Sequence, residues 1–135
     1  MSDCVRIRQA VLDQMLAEAR AAPAQECCGL LAGRDCVITN IFPAQNILRS
    51  ATAYEIAPVE LFRLFREMRA AQLEHLGIYH SHPSGPNEPS QEDLAHAYYP
   101  QAVYFVLSPR AGVSRPVRAF RMVDGLVTEL TIEIS

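Results

Sequence analysis

Residues 79–94 read YHSHPSGPNEPSQEDL, and this stretch leads from a strand through a loop into a helix. Its strand begins earlier, in HLGIYHSH (75–82), where Leu, Ile and Tyr precede the histidines. Alternate side chains of a strand project to the same side, so His80 and His82 project together. Two imidazoles presented in this way can chelate a divalent cation, of which zinc is the usual one.

The second half of the stretch predicts a helix with a defined start. Pro, Gly and Asn dominate the loop, and Ser90 with Asp93 forms the S-x-x-D pattern of a capping box. We therefore predict a short helix over 90–99. A capped helix start is also a rigid support for a ligand, so capping and metal binding by Asp93 are compatible. A catalytic zinc needs three protein ligands, and Asp93 can be the third beside His80 and His82.

Hydrophobic patterns along the rest of the chain alternate between helix and strand. Apolar residues at helical spacing predict two further helices, and short β-branched or alternating runs predict further strands. Helices interleaved with strands indicate an α/β fold, a mixed β-sheet flanked by helices, in one domain over 1–135. The predicted helices are 7–22, 59–74 and 90–99, and the predicted strands are 26–33, 36–46, 75–82, 102–108, 117–123 and 126–134, with a hairpin turn at 124–125.

Charge and composition narrow the possible functions. The net charge is −3 and the pI is near 5.8, so no basic surface for nucleic acid is expected. The apolar runs are too short to span a membrane, and charged residues stand where a signal peptide would be apolar. We therefore expect a cytoplasmic protein with no membrane partner, whose four cysteines stay reduced.

The histidine and serine patterns together, H-x-H-P-x6-S-x-x-D, resemble the motif of the JAMM (MPN+) metalloprotease family. The family places a glutamate upstream in E-x-C-G-L-L-x-G, and ECCGLLAG supplies it here as Glu26. The resemblance covers residues 5–125 and indicates the minimal, stand-alone prokaryotic form. It implies a three-layer α-β-α arrangement, the cytidine-deaminase-like JAB/MPN fold. Base deamination is not expected, because the H-x-E and P-C-x-x-C motifs of the deaminases are missing.

The resemblance also implies a role for each motif residue. His80, His82 and Asp93 would bind one Zn²⁺ per chain, with a water molecule in the fourth position. Glu26 would act as general base and then as general acid, and Ser90 would donate its hydroxyl to the oxyanion. Two histidines and one carboxylate also suit iron or manganese, so the choice of zinc depends on the resemblance.

Family members hydrolyse the amide bond after the C-terminal diglycine of ubiquitin-like proteins. Since only fourteen residues separate Asp93 from Ser108, there is no room for the insertions that hold linked ubiquitins. The expected partner is therefore the tail of a sulfur-carrier protein, from which cysteine or another amine is released. The alternatives are ubiquitin-like conjugates or other peptides, the RadC-type branch of the superfamily, and a non-catalytic MPN scaffold. A monomer and a homodimer both fit the sequence.

Overall fold

The structure is a computed structural model that describes residues 3–135. Over these residues the chain forms seven strands and three helices in an alternating order. The strands are β1 (Cys4–Ile7), β2 (Cys28–Arg34), β3 (Val37–Ala44), β4 (Glu74–Ser81), β5 (Val103–Leu107), β6 (Val117–Val123) and β7 (Leu126–Ile134), and the helices are α1 (Gln9–Ala21), α2 (Pro58–Ala70) and α3 (Gln91–Ala95).

All seven strands belong to one mixed sheet with the order β1-β3-β2-β4-β5-β6-β7. The pairs β1–β3, β1–β7 and β4–β5 are parallel, and the other pairs are antiparallel. The mixed sheet is as predicted. The sequence did not predict that β1 would pair with both β3 and β7, which closes the sheet into a barrel.

Two hydrophobic cores lie on the two faces of this sheet. The first contains α1 and residues from all seven strands, and the second contains α2, the segment after α3, and the opposite face of the central strands. Adjacent residues of β4 project to opposite faces of the sheet: Tyr79 belongs to the first core and Ile78 to the second. Helices on both faces confirm the expected α/β layering.

Two predicted helices end earlier than their patterns suggest. Helix α2 ends at Ala70 instead of 74, because Gln72 adopts a left-handed conformation (φ 58°) and the chain turns into β4. Helix α3 ends at Ala95 instead of 99. The backbone N–H of Tyr99 donates to the Tyr104 hydroxyl (3.1 Å), which fixes this segment against β5.

The predicted hairpin turn between β6 and β7 is confirmed. Asp124 (φ 51°) and Gly125 (φ 77°) both have the positive φ that a type I′ turn requires. Within residues 3–135, none of the helices has the length and apolarity needed to cross a membrane.

Candidate metal centre

Pairing of β2 with β4 brings the upstream glutamate beside the histidines. Cys28 pairs with His80 in the antiparallel register. Just beyond this pair, the Ser81 N–H donates to the Cys27 carbonyl (3.0 Å), and the Ser81 hydroxyl accepts from the Cys27 N–H (2.9 Å). These bonds hold the start of β2 against the end of β4, so Glu26 lies next to the histidine pair.

The side chains of His80, His82 and Asp93 converge on one point. The Nε2 atoms of His80 and His82 are 3.1 Å apart. Oδ2 of Asp93 lies 3.1 Å from Nε2 of His80 and 3.0 Å from Nε2 of His82. The three side chains are 0%, 11% and 9% exposed in the order His80, His82, Asp93. The structure thus brings together the three residues that the sequence motif predicted as ligands.

The hydrogen-bond partners of His82 indicate a tautomer that can bind a cation at this point. Nδ1 of His82 lies 2.8 Å from the Pro86 carbonyl, to which it can only donate. In the neutral ring Nε2 then carries a lone pair, which faces the Asp93 carboxylate. Ligand atoms around a tetrahedral zinc are about 3.3 to 3.4 Å apart, since each bond is about 2.0 to 2.1 Å. The observed spacings are close to this value, so the three side chains fit such an ion.

The close packing of these three side chains also shifts their pKa values when no metal is bound. Burial lowers the pKa of His80, so this imidazole is held in the neutral form that binds metals. Burial also disfavours charge on His82 and Asp93, but hydrogen bonding outweighs it. The bond that the protonated ring of His82 makes to Asp93 raises the pKa of His82, and the bonds to His80 and then to His82 lower the pKa of Asp93. Asp93 therefore remains a carboxylate.

Glu26 is a buried carboxyl group at the edge of the centre. Its side chain is 3% exposed, and Oε1 has no hydrogen-bond partner among the described residues. Burial raises its pKa to about 8. Ligand atoms of Glu26, His80 and His82 all lie within 4.8 Å of one another, so Glu26 could complete a second ligand set. Asp93 is the better candidate for the third ligand, because it is within 3.1 Å of both histidines.

The predicted capping box is present at the start of α3. The Ser90 hydroxyl accepts from the Asp93 N–H (3.0 Å), and Oδ2 of Asp93 accepts from the Ser90 N–H (2.9 Å). Because Ser90 Oγ acts as an acceptor here, its own hydrogen is free to be donated elsewhere. The cap fixes the carboxylate that faces the histidines.

Comparisons with known proteins agree with this geometry. Residues 8–123 match the family of prokaryotic homologues of the JAB domain, Prok-JAB. The chain belongs to the Prok-JAB family. The CysO-cysteine peptidase of Mycobacterium tuberculosis is 35% identical over 131 residues, which cover 95% of this chain and 89% of that protein. A probable TtuB-protein conjugate cleaving protease of Thermus thermophilus is 35% identical over 114 residues, covering 84% and 72%.

Solved structures extend the Prok-JAB assignment to the fold. A protein of Desulfitobacterium hafniense has a TM-score of 0.85 at 30% identity and covers 97% of this chain and 92% of its own. A JAB1/MPN domain protein of Archaeoglobus fulgidus has a TM-score of 0.61 at 18% identity, with 96% of each chain covered. The expected JAB/MPN fold and the resemblance to the JAMM family are thereby confirmed.

Beside the candidate metal centre, this Prok-JAB domain has a groove of about 400 Å³. Its walls come from α3 and the segment that follows, from α2, and from the segment that precedes α2. The lining is mostly apolar and aromatic, and it includes Asp93 of the candidate metal centre. The residues that characterise it are Leu48, Tyr54, Ile56, Asp93, Tyr98 and Tyr99.

Tyr54 is a site residue that the sequence analysis missed. The alternation of Tyr54 with Ile56 is typical of a short strand, but the structure has no strand there. Instead, the ring of Tyr54 stacks on the imidazole of His80, with centroids 4.7 Å apart and planes 22° from parallel. The stacking fixes the orientation of the His80 ring, and only the tertiary structure brings these two residues together.

Proposed function

We propose that this protein is a JAMM-type zinc peptidase that cleaves the amide bond after the C-terminal diglycine of a ubiquitin-like sulfur carrier. The observation that carries the proposal is the convergence of His80, His82 and Asp93 beside the buried carboxyl group of Glu26. The similarity to a CysO-cysteine peptidase over nearly the whole chain supports this substrate class.

Each side chain has a role that its position allows. Bound by His80, His82 and Asp93, zinc would supply Lewis acidity for a water molecule and for the oxyanion. Glu26 takes a proton from the attacking water and delivers it to the leaving nitrogen. A pKa near neutrality suits this exchange, and burial raises that of Glu26 to about 8 in the metal-free protein. Ser90 donates its hydroxyl hydrogen to the oxyanion.

The choice of zinc is part of the proposal. Two imidazoles and one carboxylate also bind iron, but hydrolysis assisted by a glutamate base needs no redox chemistry. Metal analysis of protein purified without added metal tests this point. One zinc per chain is the expected result, whereas iron or manganese at that ratio would contradict it.

The surroundings of the centre fit a small, extended substrate tail. A diglycine segment is thin, and the groove beside Asp93 can hold the substrate residues that precede the diglycine.

We propose that residues 1–135 act as one domain, as a monomer or a homodimer. We also place the protein in the cytoplasm, where Cys27, Cys28 and Cys36, which are free thiols in the structure, would remain reduced.

A second candidate substrate is a protein conjugated through the same diglycine. The similarity to a TtuB-protein conjugate cleaving protease favours it. The two substrates differ in the leaving amine, which is that of a free amino acid in one case and a lysine side chain in the other. They can therefore be compared directly in one assay.

The deciding experiment offers both substrates to the same enzyme and records intact masses. A sulfur carrier with a C-terminal Gly-Gly-Cys extension should lose one cysteine, and a chelator or Glu26→Gln should prevent the loss. Faster release of a lysine-linked protein would favour the second candidate. If neither substrate is cleaved by the zinc-loaded wild type, the proposed function is wrong.

A further inference from the structure

The side chain of Asn46, just after β3, is 2% exposed and makes five hydrogen bonds. Its Nδ2 donates to the carbonyl groups of Glu26 (3.0 Å) and Ala53 (3.0 Å), with a longer bond to that of Ser50 (3.4 Å). Its Oδ1 accepts from the N–H groups of Leu48 (3.1 Å) and Glu55 (3.2 Å). The amide therefore uses both its donors and its acceptor on backbone groups.

These bonds connect a loop to the residue proposed as the base. The loop comprises residues 46–55, has no helix or strand, and forms part of the groove wall. Glu26 lies two residues before β2 and has both of its backbone hydrogen bonds with this loop. Its N–H donates to Ser50 (2.8 Å), and its carbonyl accepts from Asn46. The strand ladder begins only at Cys28, so the loop holds the backbone of Glu26 in place.

The same amide also holds the residue that stacks on a predicted ligand. Ala53 and Glu55 flank Tyr54, and both are bonded to Asn46. Tyr54 in turn stacks on His80. One buried side chain therefore fixes the backbone on either side of Tyr54 together with that of Glu26.

We propose that Asn46 is a positioning residue for the hydrolytic reaction. It does not touch the reacting atoms, but it fixes Glu26 and Tyr54 relative to His80. This inference depends on the proposed function. Displacement of a catalytic group by about 1 Å can lower the rate on the order of 10²-fold, so loss of the contact should be visible in kcat.

Two variants and one control test the inference. Asn46→Ala removes all five bonds, and Asn46→Asp keeps the two that the side chain accepts but loses the three donated to the carbonyl groups of Glu26, Ser50 and Ala53. Asn46→Asp is nearly isosteric, so it remains informative if Asn46→Ala does not fold. The control Ser50→Ala removes the bond that the Thr52 N–H donates to the Ser50 hydroxyl (3.0 Å) in the same loop, and it leaves every partner of Asn46 in place.

The first measurement is amide hydrogen exchange in the metal-free protein, which needs no activity. The Glu26 amide should exchange about tenfold faster or more in both Asn46 variants, while amides in the core of β4 stay unchanged. Ser50→Ala should leave Glu26 protected. Unchanged exchange at Glu26 in the Asn46 variants would overturn the inference, even if the wild type proves to be inactive on the chosen substrates.

The second measurement is kcat at saturating zinc, with and without Glu26→Gln. If Asn46 acts mainly through Glu26, Asn46→Asp should lower kcat on the order of 10- to 100-fold in the wild-type background and clearly less beside Glu26→Gln, where only the contribution through Tyr54 remains. Equal losses in both backgrounds, or full activity of Asn46→Asp, would overturn the inference. A wild type that cleaves neither substrate would instead refute the proposed function.

Discussion

Replacement of Glu26 by glutamine should stabilise the metal-free protein while it removes activity. The carboxyl group is almost fully buried, and its Oε1 has no partner among the described residues. Burial raises its pKa from 4.5 to about 8. The folded protein therefore binds this proton more tightly than the unfolded chain does, and ionisation of Glu26 opposes folding.

The sign and size of the effect follow from this difference. Between pH 4.5 and pH 8 the folded state holds more protons at Glu26, so the free energy of unfolding falls as the pH rises. A rise in pKa from 4.5 to about 8 lowers that free energy by about 3 to 4 kcal/mol between pH 5 and pH 8. Glutamine has no titratable carboxyl group, so in Glu26→Gln the free energy of unfolding should no longer fall by this amount between pH 5 and pH 8.

Urea unfolding of chelator-treated protein at pH 5 and pH 8 measures the effect. Glu26→Gln should be near the wild type in stability at pH 5 and clearly more stable at pH 8. Glu92→Gln is the matched control, because Glu92 is an exposed carboxylate of α3 near the same centre. Parallel pH profiles for the wild type and Glu26→Gln would refute the argument from burial.

With zinc bound, the same variant should retain the metal but lose turnover. Removal of a general base typically lowers the rate about 10²- to 10⁴-fold. Zinc content and kcat measured on one preparation separate the two effects. Retained turnover would show that another group takes the proton.

Three further predictions concern the ligands and the core. Asp93→Asn keeps an acceptor for the capping box and should fold, but it should lose zinc affinity by more than about 100-fold, whereas Ser90→Ala should keep the metal. Gly29→Ala should lower the free energy of unfolding by about 1 to 3 kcal/mol, because its Cβ would lie 2.5 Å from a tyrosine oxygen, and Gly85→Ala is the control with open space. Zinc affinity measured by competition should rise with pH and then level off, since zinc must displace the proton that the raised pKa of His82 retains.

The local part of the site could be predicted from the sequence, because short-range rules fix it. Alternation in a strand places His80 and His82 on one side, and the S-x-x-D pattern sets the position of Asp93 at a helix start. Glu26 could be identified only through the family motif. Its place beside the histidines depends on the pairing of β2 with β4, which no local pattern specifies.

Features that depend on long-range contacts were missed. Strand β1 has four residues, Cys4–Ile7, and so short a segment shows little alternation next to the strong helical pattern that follows it. The roles of Tyr54 and Asn46 could not be seen in the sequence, because their partners, His80 and Glu26, are distant along the chain. The sheet and its helices were therefore predictable, but its closure and the packing around the centre were not.

Closure of the sheet through β1 has a consequence for the order of folding. Residues 4–7 pair with 131–134, so the barrel joins segments from opposite ends of the described chain. Contacts of such high sequence separation form slowly, because a long loop must be ordered first. Glu26, His80, His82 and Asp93 all precede β5. We therefore expect the β1–β7 pairing to form later in folding than the β2–β4 pairing that places the histidines beside Glu26.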